Sequence, residues 1–137
     1  MWTVVKQIPF SYSHRLLDYD GPCRQMHGHN GLAEIVCEGE SLDDKGMVAD
    51  FARIKRVMKG YIDEHLDHRL LLKRDDPMVA ECARLGQPVF LFDENPTAEV
   101  MARHLYEIAL AKGLPVVEVR LHETPTSVAA YRETRRP

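Results

Sequence analysis

His27 and His29 flank a single glycine, with Cys23 just before them and His14 one short segment upstream. This cluster constrains the fold more than any other stretch. On a β-strand, residues i and i+2 point to the same face with Cα atoms about 6.5 Å apart. Extended backbone therefore presents both imidazoles to one side of a sheet. The flanking sequence agrees. Residues 2–12 are rich in β-branched and aromatic side chains and read as a first strand. Asp20-Gly21-Pro22 is a turn signal. Residues 27–40 read as a second strand, antiparallel to the first across a long loop.

Beyond the polar turn at 41–46, Asp50 has the character of an N-cap. Phe51, Ile54, Val57, Met58, Tyr61 and Ile62 follow at helical spacing, which predicts an amphipathic helix ending near His65. Residues 66–77 carry no clear period. Residues 78–85 predict a short helix closed by Gly86, and Val89–Phe92 a brief extended run. Asn95-Pro96-Thr97-Ala98-Glu99 is a helix start, with Pro96 in the first turn and Glu99 near the positive end of the dipole. Val100, Met101, Leu105 and Ile108 form its expected buried stripe, and Gly113 its C-terminal cap. Residues 116–123 predict a third strand, with Val117, Val119, Leu121 and Glu123 on one face. Residues 127–133 predict a fourth. The order ββααββ is an α+β arrangement in one domain spanning 1–137.

The three histidines can serve one purpose. Imidazoles at i, i+2 on one strand and a third across a hairpin can each reach one ion at about 2.0–2.1 Å. Three neutral nitrogens with one open position is the pattern of catalytic zinc. Gly28 is expected to let another backbone approach closely. Two other readings remain at this point: unrelated surface histidines, or a closed structural site with Cys23 as fourth ligand. Arg24 and a nearby cation would favour the thiolate of Cys23, which can then act as base or nucleophile. Cys37 and Cys82, among apolar neighbours, read as small hydrophobes. Asp67-His68 can form a proton relay or be an ordinary solvated pair. Glu123 ends an apolar strand face, and on its own residues it belongs at a solvated rim.

Composition removes several classes of function. The formal charge is −3, so the basic excess of a nucleic-acid binder is missing. No apolar run approaches the roughly 20 residues that cross a bilayer, and no signal peptide is read at the start. Three cysteines without regular spacing fit a reduced, cytoplasmic setting.

In this order, His14, Cys23-x-x-x-His27-Gly28-His29, Gly46-Met47-Val48-x-Asp50-Phe51, Leu66-Asp67-His68, Pro96-Thr97-Ala98-Glu99 and Glu123-Thr124 resemble the 6-pyruvoyl-tetrahydropterin synthase / 6-carboxy-tetrahydropterin synthase family. The resemblance spans nearly the whole chain. It implies a tunnelling fold, a four-stranded antiparallel sheet with two helices on one side. Three subunits would close a barrel, and two rings would stack into a homo-hexamer with interfacial active sites. His14, His27 and His29 would bind Zn²⁺. Cys23, Asp67 and His68 would be catalytic, the last two able to reach a neighbouring subunit's Cys23. Glu123 would anchor a pterin ring, reversing the rim assignment, with Thr97 beside it. The implied substrate is 7,8-dihydroneopterin triphosphate. The carboxy-forming branch, which feeds queuosine and other 7-deazapurines, is the expected one, with pyruvoyl-forming and dihydroneopterin-cleaving chemistry as alternatives. Arg15, Arg24, Arg69 and Arg74 are candidate triphosphate contacts. The chain departs from the family in two places. Leu72 stands where many members have asparagine, and the span from His68 to Pro96 is longer than in compact members.

Overall fold

The computed structural model describes residues 1–134. A six-stranded sheet carries three helices: β1 (Trp2–His14), β2 (His27–Gly39), α1 (Phe51–His65), β3 (Leu70–Lys73), α2 (Met78–Leu85), β4 (Val89–Phe92), α3 (Ala98–Ala111), β5 (Val116–Thr124) and β6 (Ser127–Tyr131). The sheet order is β4-β3-β1-β2-β5-β6. The four strands expected from the sequence form its antiparallel part, and β1 pairs with β2 along its full length, from Trp2↔Gly39 to His14↔His27. The expected α+β tunnelling-fold sheet is present, and it is larger than four strands. Strands β3 and β4 extend it in parallel beyond β1.

The added strands have a simple cause. Leu71 packs into the main core, while Leu70 and Leu72 join Cys82, Met78, Val79, Val89 and Leu91 in a separate cluster beneath α2. A strand buried on both faces shows a continuous apolar run rather than alternation. This is why 66–77 carries no period in the sequence. It also accounts for Leu72: fully buried against α2, the position takes an apolar side chain.

The main core lies between the other face of the sheet and helices α1 and α3. Ile8, Phe10, Ala33, Ile35, Val119 and Leu121 meet Ile54, Met58 and Ile62 of α1 and Met101, Leu105 and Ala109 of α3. Each fully buried aliphatic side chain of this kind contributes about 1.5–3 kcal/mol of transfer free energy. Asp50 caps α1 through the Ala52 N–H at 2.8 Å, as its position implies. A register shift opposite Val36 and Cys37 pairs Cys37 with Val116. Val116, not Val117, therefore takes the buried position. In α3, Ala102, Tyr106 and Ala109 are buried, while Val100 and Ile108 pack at the margin. The fourth expected strand ends at Tyr131, short of Glu133.

Candidate metal centre and active site

His14, His27 and His29 share the core-side face of the β1–β2 hairpin, where cross-strand pairing sets His14 opposite His27 and Tyr12 opposite His29. The three rings stand with centroids 4.6–5.1 Å apart. Their ligand nitrogens all lie within 4.8 Å of one another.

Hydrogen bonding sets the tautomers. His14 Nδ1 lies 2.8 Å from the Pro96 carbonyl, and His27 Nδ1 lies 2.8 Å from the Gln25 carbonyl. A carbonyl only accepts, so both Nδ1 atoms carry the proton and both Nε2 atoms present lone pairs. Those Nε2 atoms face each other at 3.1 Å. Two lone pairs at that separation repel each other, and a metal cation between them would relieve the repulsion. Burial pushes the His14 pKa down, against the pull of the Pro96 carbonyl and Glu123, so an added proton is disfavoured. Nitrogen ligands of one tetrahedral ion at about 2.0–2.1 Å stand about 3.3–3.4 Å apart, close to the 3.1 Å between His14 and His27. His29 Nε2 is buried without a hydrogen-bond partner, and burial likewise lowers its pKa. The backbone carbonyls on Nδ1 are the outer partners that ligating histidines commonly have. The residues therefore fit a divalent metal such as zinc. Cys23 is not a member of this group.

Glu123, on β5, reaches the same place. Its Oε1 lies 3.4 Å from His14 Nε2 and 3.6 Å from His29 Nε2, with the side chain about a quarter exposed. The solvated-rim assignment is thus replaced by a position against the histidines. Cys23, in a single 3-10 turn (Pro22–Arg24), joins His14, Thr97 and Glu123 around a cavity of about 310 Å³. Thr97 also caps α3, accepting the Val100 N–H at 3.2 Å.

Asp67 and His68 come together as a pair but face elsewhere. The His68 Nδ1–H donates to Asp67 Oδ2 at 2.9 Å, and Asp67 Oδ1 accepts the Ser11 N–H at 2.9 Å. Burial opposes ionisation of Asp67, but these bonds together hold its pKa below the ordinary carboxylate value. His68 has φ 58°, a left-handed conformation uncommon for a residue with a Cβ. Its N–H donates to the Ser11 carbonyl at 2.7 Å as the chain turns into β3. His68 lines a second cavity, of about 380 Å³, together with Ser11, Gly28, His29, Asn30 and Arg69 among others, and Cys23 does not line it.

Gly28 plays a part different from the expected one. A Cβ there would meet only the Tyr12 carbonyl at 3.4 Å, so crowding within this chain does not demand glycine. Gly28 lines the second cavity, which a side chain would narrow. Tighter contacts occur at Gly31 and Gly21, where a Cβ would lie 2.8 Å from the Tyr12 ring and 2.6 Å from the Tyr19 ring.

Of the four candidate arginines, Arg15 is bound to Asp76, Arg74 to Asp93, and Arg69 to the carbonyls of Glu64 and Asp67. Arg24 stands exposed beside Cys23. Sequence reasoning missed the Pro96 and Gln25 carbonyls, which carry no side-chain signal. It also missed Tyr12, whose hydroxyl is buried without a hydrogen-bond partner. A further cavity, of about 940 Å³ and bordered by Thr3, Glu38, Glu118, Arg120 and Arg132, has no histidine or cysteine among its described lining residues.

The 6-pyruvoyl tetrahydropterin synthase family matches residues 3–134. The chain belongs to this family. It is 35% identical to the 6-carboxy-5,6,7,8-tetrahydropterin synthase of Rickettsia bellii, covering 88% of this chain and 92% of that one. It is 30% identical to the protein of the same name from Aquifex aeolicus, covering 96% and 98%. Among solved structures, 6-pyruvoyl tetrahydropterin synthase of Caenorhabditis elegans superposes with a TM-score of 0.74 at 26% identity, covering 97% of this chain and 96% of that one. An uncharacterized protein from Wolinella succinogenes superposes with a TM-score of 0.83 at 25% identity, covering 97% and 98%. Among the described residues, no helix is long and apolar enough to cross a membrane.

Proposed function

We propose that this chain is a cytoplasmic, zinc-dependent pterin synthase that converts 7,8-dihydroneopterin triphosphate to 6-carboxy-5,6,7,8-tetrahydropterin. The observation that carries this reading is the convergence of His14, His27 and His29, with the His14 and His27 Nε2 atoms facing each other at 3.1 Å. The names of the relatives support the pterin class and the carboxy product. His14, His27 and His29 would hold the zinc ion, which would supply Lewis acidity toward the side-chain oxygens of the substrate.

The other roles belong to the chain itself. Glu123 accepts two parallel N–H bonds from the pterin ring edge, a recognition that a carboxylate makes strongly. Thr97 borders the ring. Cys23, as thiolate, removes a proton from the side chain of the substrate. His68, held by Asp67, moves protons while the side chain rearranges and triphosphate leaves, and acetaldehyde departs in the carboxy-forming reaction. Arg24 is placed to meet the triphosphate. Within one chain His68 and Cys23 line different cavities. This supports a homo-hexamer in which the pair of one subunit serves the thiol of its neighbour. A closed structural site is disfavoured because Cys23 stands outside the three-histidine group.

The test is incubation of the zinc-loaded protein with 7,8-dihydroneopterin triphosphate and identification of the products by mass. 6-Carboxy-tetrahydropterin with acetaldehyde and triphosphate is expected. A 6-pyruvoyl product would move the chain to the other branch of the family, and no turnover would reject the reading.

A further inference from the structure

The segment from 74 to 95, between β3 and α3, supplies no member of the three-histidine group. Its two ends nevertheless grip the loop that carries Cys23. At one end, Asp76 is only 3% exposed and takes both Arg15 Nε, at 2.7 Å, and Arg15 Nη2. The same carboxylate accepts the Met78 N–H at 2.8 Å and so anchors the start of α2. At the other end, the Asn95 side chain bonds Leu17 twice. Its Oδ1 accepts the Leu17 N–H and its Nδ2 donates to the Leu17 carbonyl, each at 2.8 Å. Between these anchors, the Leu16 N–H donates to the Cys23 carbonyl at 2.9 Å. Arg15, Leu16 and Leu17 thus form a bar fixed at both ends, and the bar holds Cys23.

We propose that Asp76 and Asn95 are positioning residues that act through Arg15 and Leu17 to keep the Cys23 thiol on the His14–Glu123 cavity. The inference rests on the reading of Cys23 as the acting thiol and adds to it a role for the 74–95 segment. A buried two-point carboxylate–guanidinium contact and a two-point amide–backbone contact both fix direction as well as distance. A catalytic group displaced by about 1 Å can lose about 100-fold in rate.

The experiment compares wild type, Asp76→Asn and Asn95→Asp as zinc-loaded proteins. Three readouts are taken: the rate of Cys23 alkylation by iodoacetamide, followed by peptide mass, the zinc content, and kcat and KM on 7,8-dihydroneopterin triphosphate. Cys37 and Cys82 are buried and serve as slow internal references. Both variants are expected to keep one zinc per chain. Their Cys23 alkylation is expected to rise about 5-fold as the loop opens, and kcat to fall about 10-fold with KM changed by less than about 3-fold. Asp76→Glu should restore part of each. A purely structural role would lower the melting temperature and leave alkylation at the wild-type rate, and that result in both variants overturns the proposal. Should Asp76→Asn fail to fold, Asn95→Asp decides alone. Should wild type fail to process the pterin, the proposed function falls, while the alkylation rates still decide for or against the clamp.

Discussion

The antiparallel half of the sheet and its parallel extension contribute in opposite ways. Strands β1, β2 and β5 carry His14, His27, His29 and Glu123, the groups that converge on one point. Strands β3 and β4 with α2 carry no member of that cluster, and their apolar side chains form a small core of their own. The first region is chemistry displayed on a hairpin. The second is a brace whose ends touch the loops around that chemistry. A site of this kind needs both, because ligands on adjacent strands are aligned by the ladder, whereas a thiol on a loop is aligned only by what grips the loop.

The contrast can be broken first at the ligands. His29→Ala should lower zinc affinity by more than about 100-fold, since losing a group that merely orients a ligand already costs about 10–100-fold. Competition with a chelator measures this, and turnover should vanish with the metal. Cys23→Ala should lower kcat by about 10²–10⁴-fold, the range of a lost acid–base group. Zinc content measured in parallel should stay at one per chain.

The extension should respond in stability rather than in metal. Leu72→Ala empties part of the small cluster and should cost about 2 kcal/mol, the low end for a buried leucine. Urea unfolding would show it, with zinc affinity unchanged. A large loss of metal affinity in that variant would mean that the two regions are not separate.

How legible the two regions were in the sequence follows the same division. The histidine pairing and the α1 cap at Asp50 rest on patterns a few residues long, and they stand where expected. The α3 start signal is also real but lies slightly further on: Thr97 is the cap, the helix begins at Ala98, and Pro96 stands just before it rather than in its first turn. The β3 and β4 strands were obscured because burial on both faces removes the alternation that marks a strand. Arg15 was read as a phosphate contact because its partner, Asp76, lies 61 positions away. The Pro96 carbonyl that fixes the His14 tautomer lies 82 positions away. Such contacts depend on the tertiary arrangement and leave no local signature.

Smaller effects sharpen the picture. Asp67→Asn replaces the acceptor facing His68 Nδ1 with an amide and should lower kcat about 10-fold while metal content holds. Acid should loosen the brace. The Arg15 guanidinium, more than any other group, holds the Asp76 pKa below its ordinary value of 3.8. A carboxyl depressed in the folded state contributes its full stability above the unfolded pKa and loses it as pH falls through the folded pKa. The gap in urea midpoint between wild type and Asp76→Asn should therefore be widest near neutrality and shrink as pH drops below about 4.

The most direct test of the central claim is X-ray absorption at the zinc edge of the metal-loaded protein. Nitrogen and oxygen neighbours at about 2.0–2.1 Å, with multiple-scattering features of imidazole and no sulfur at about 2.3 Å, are expected from an open three-histidine site. A sulfur neighbour at about 2.3 Å would place Cys23 on the metal, close the fourth position and contradict the account.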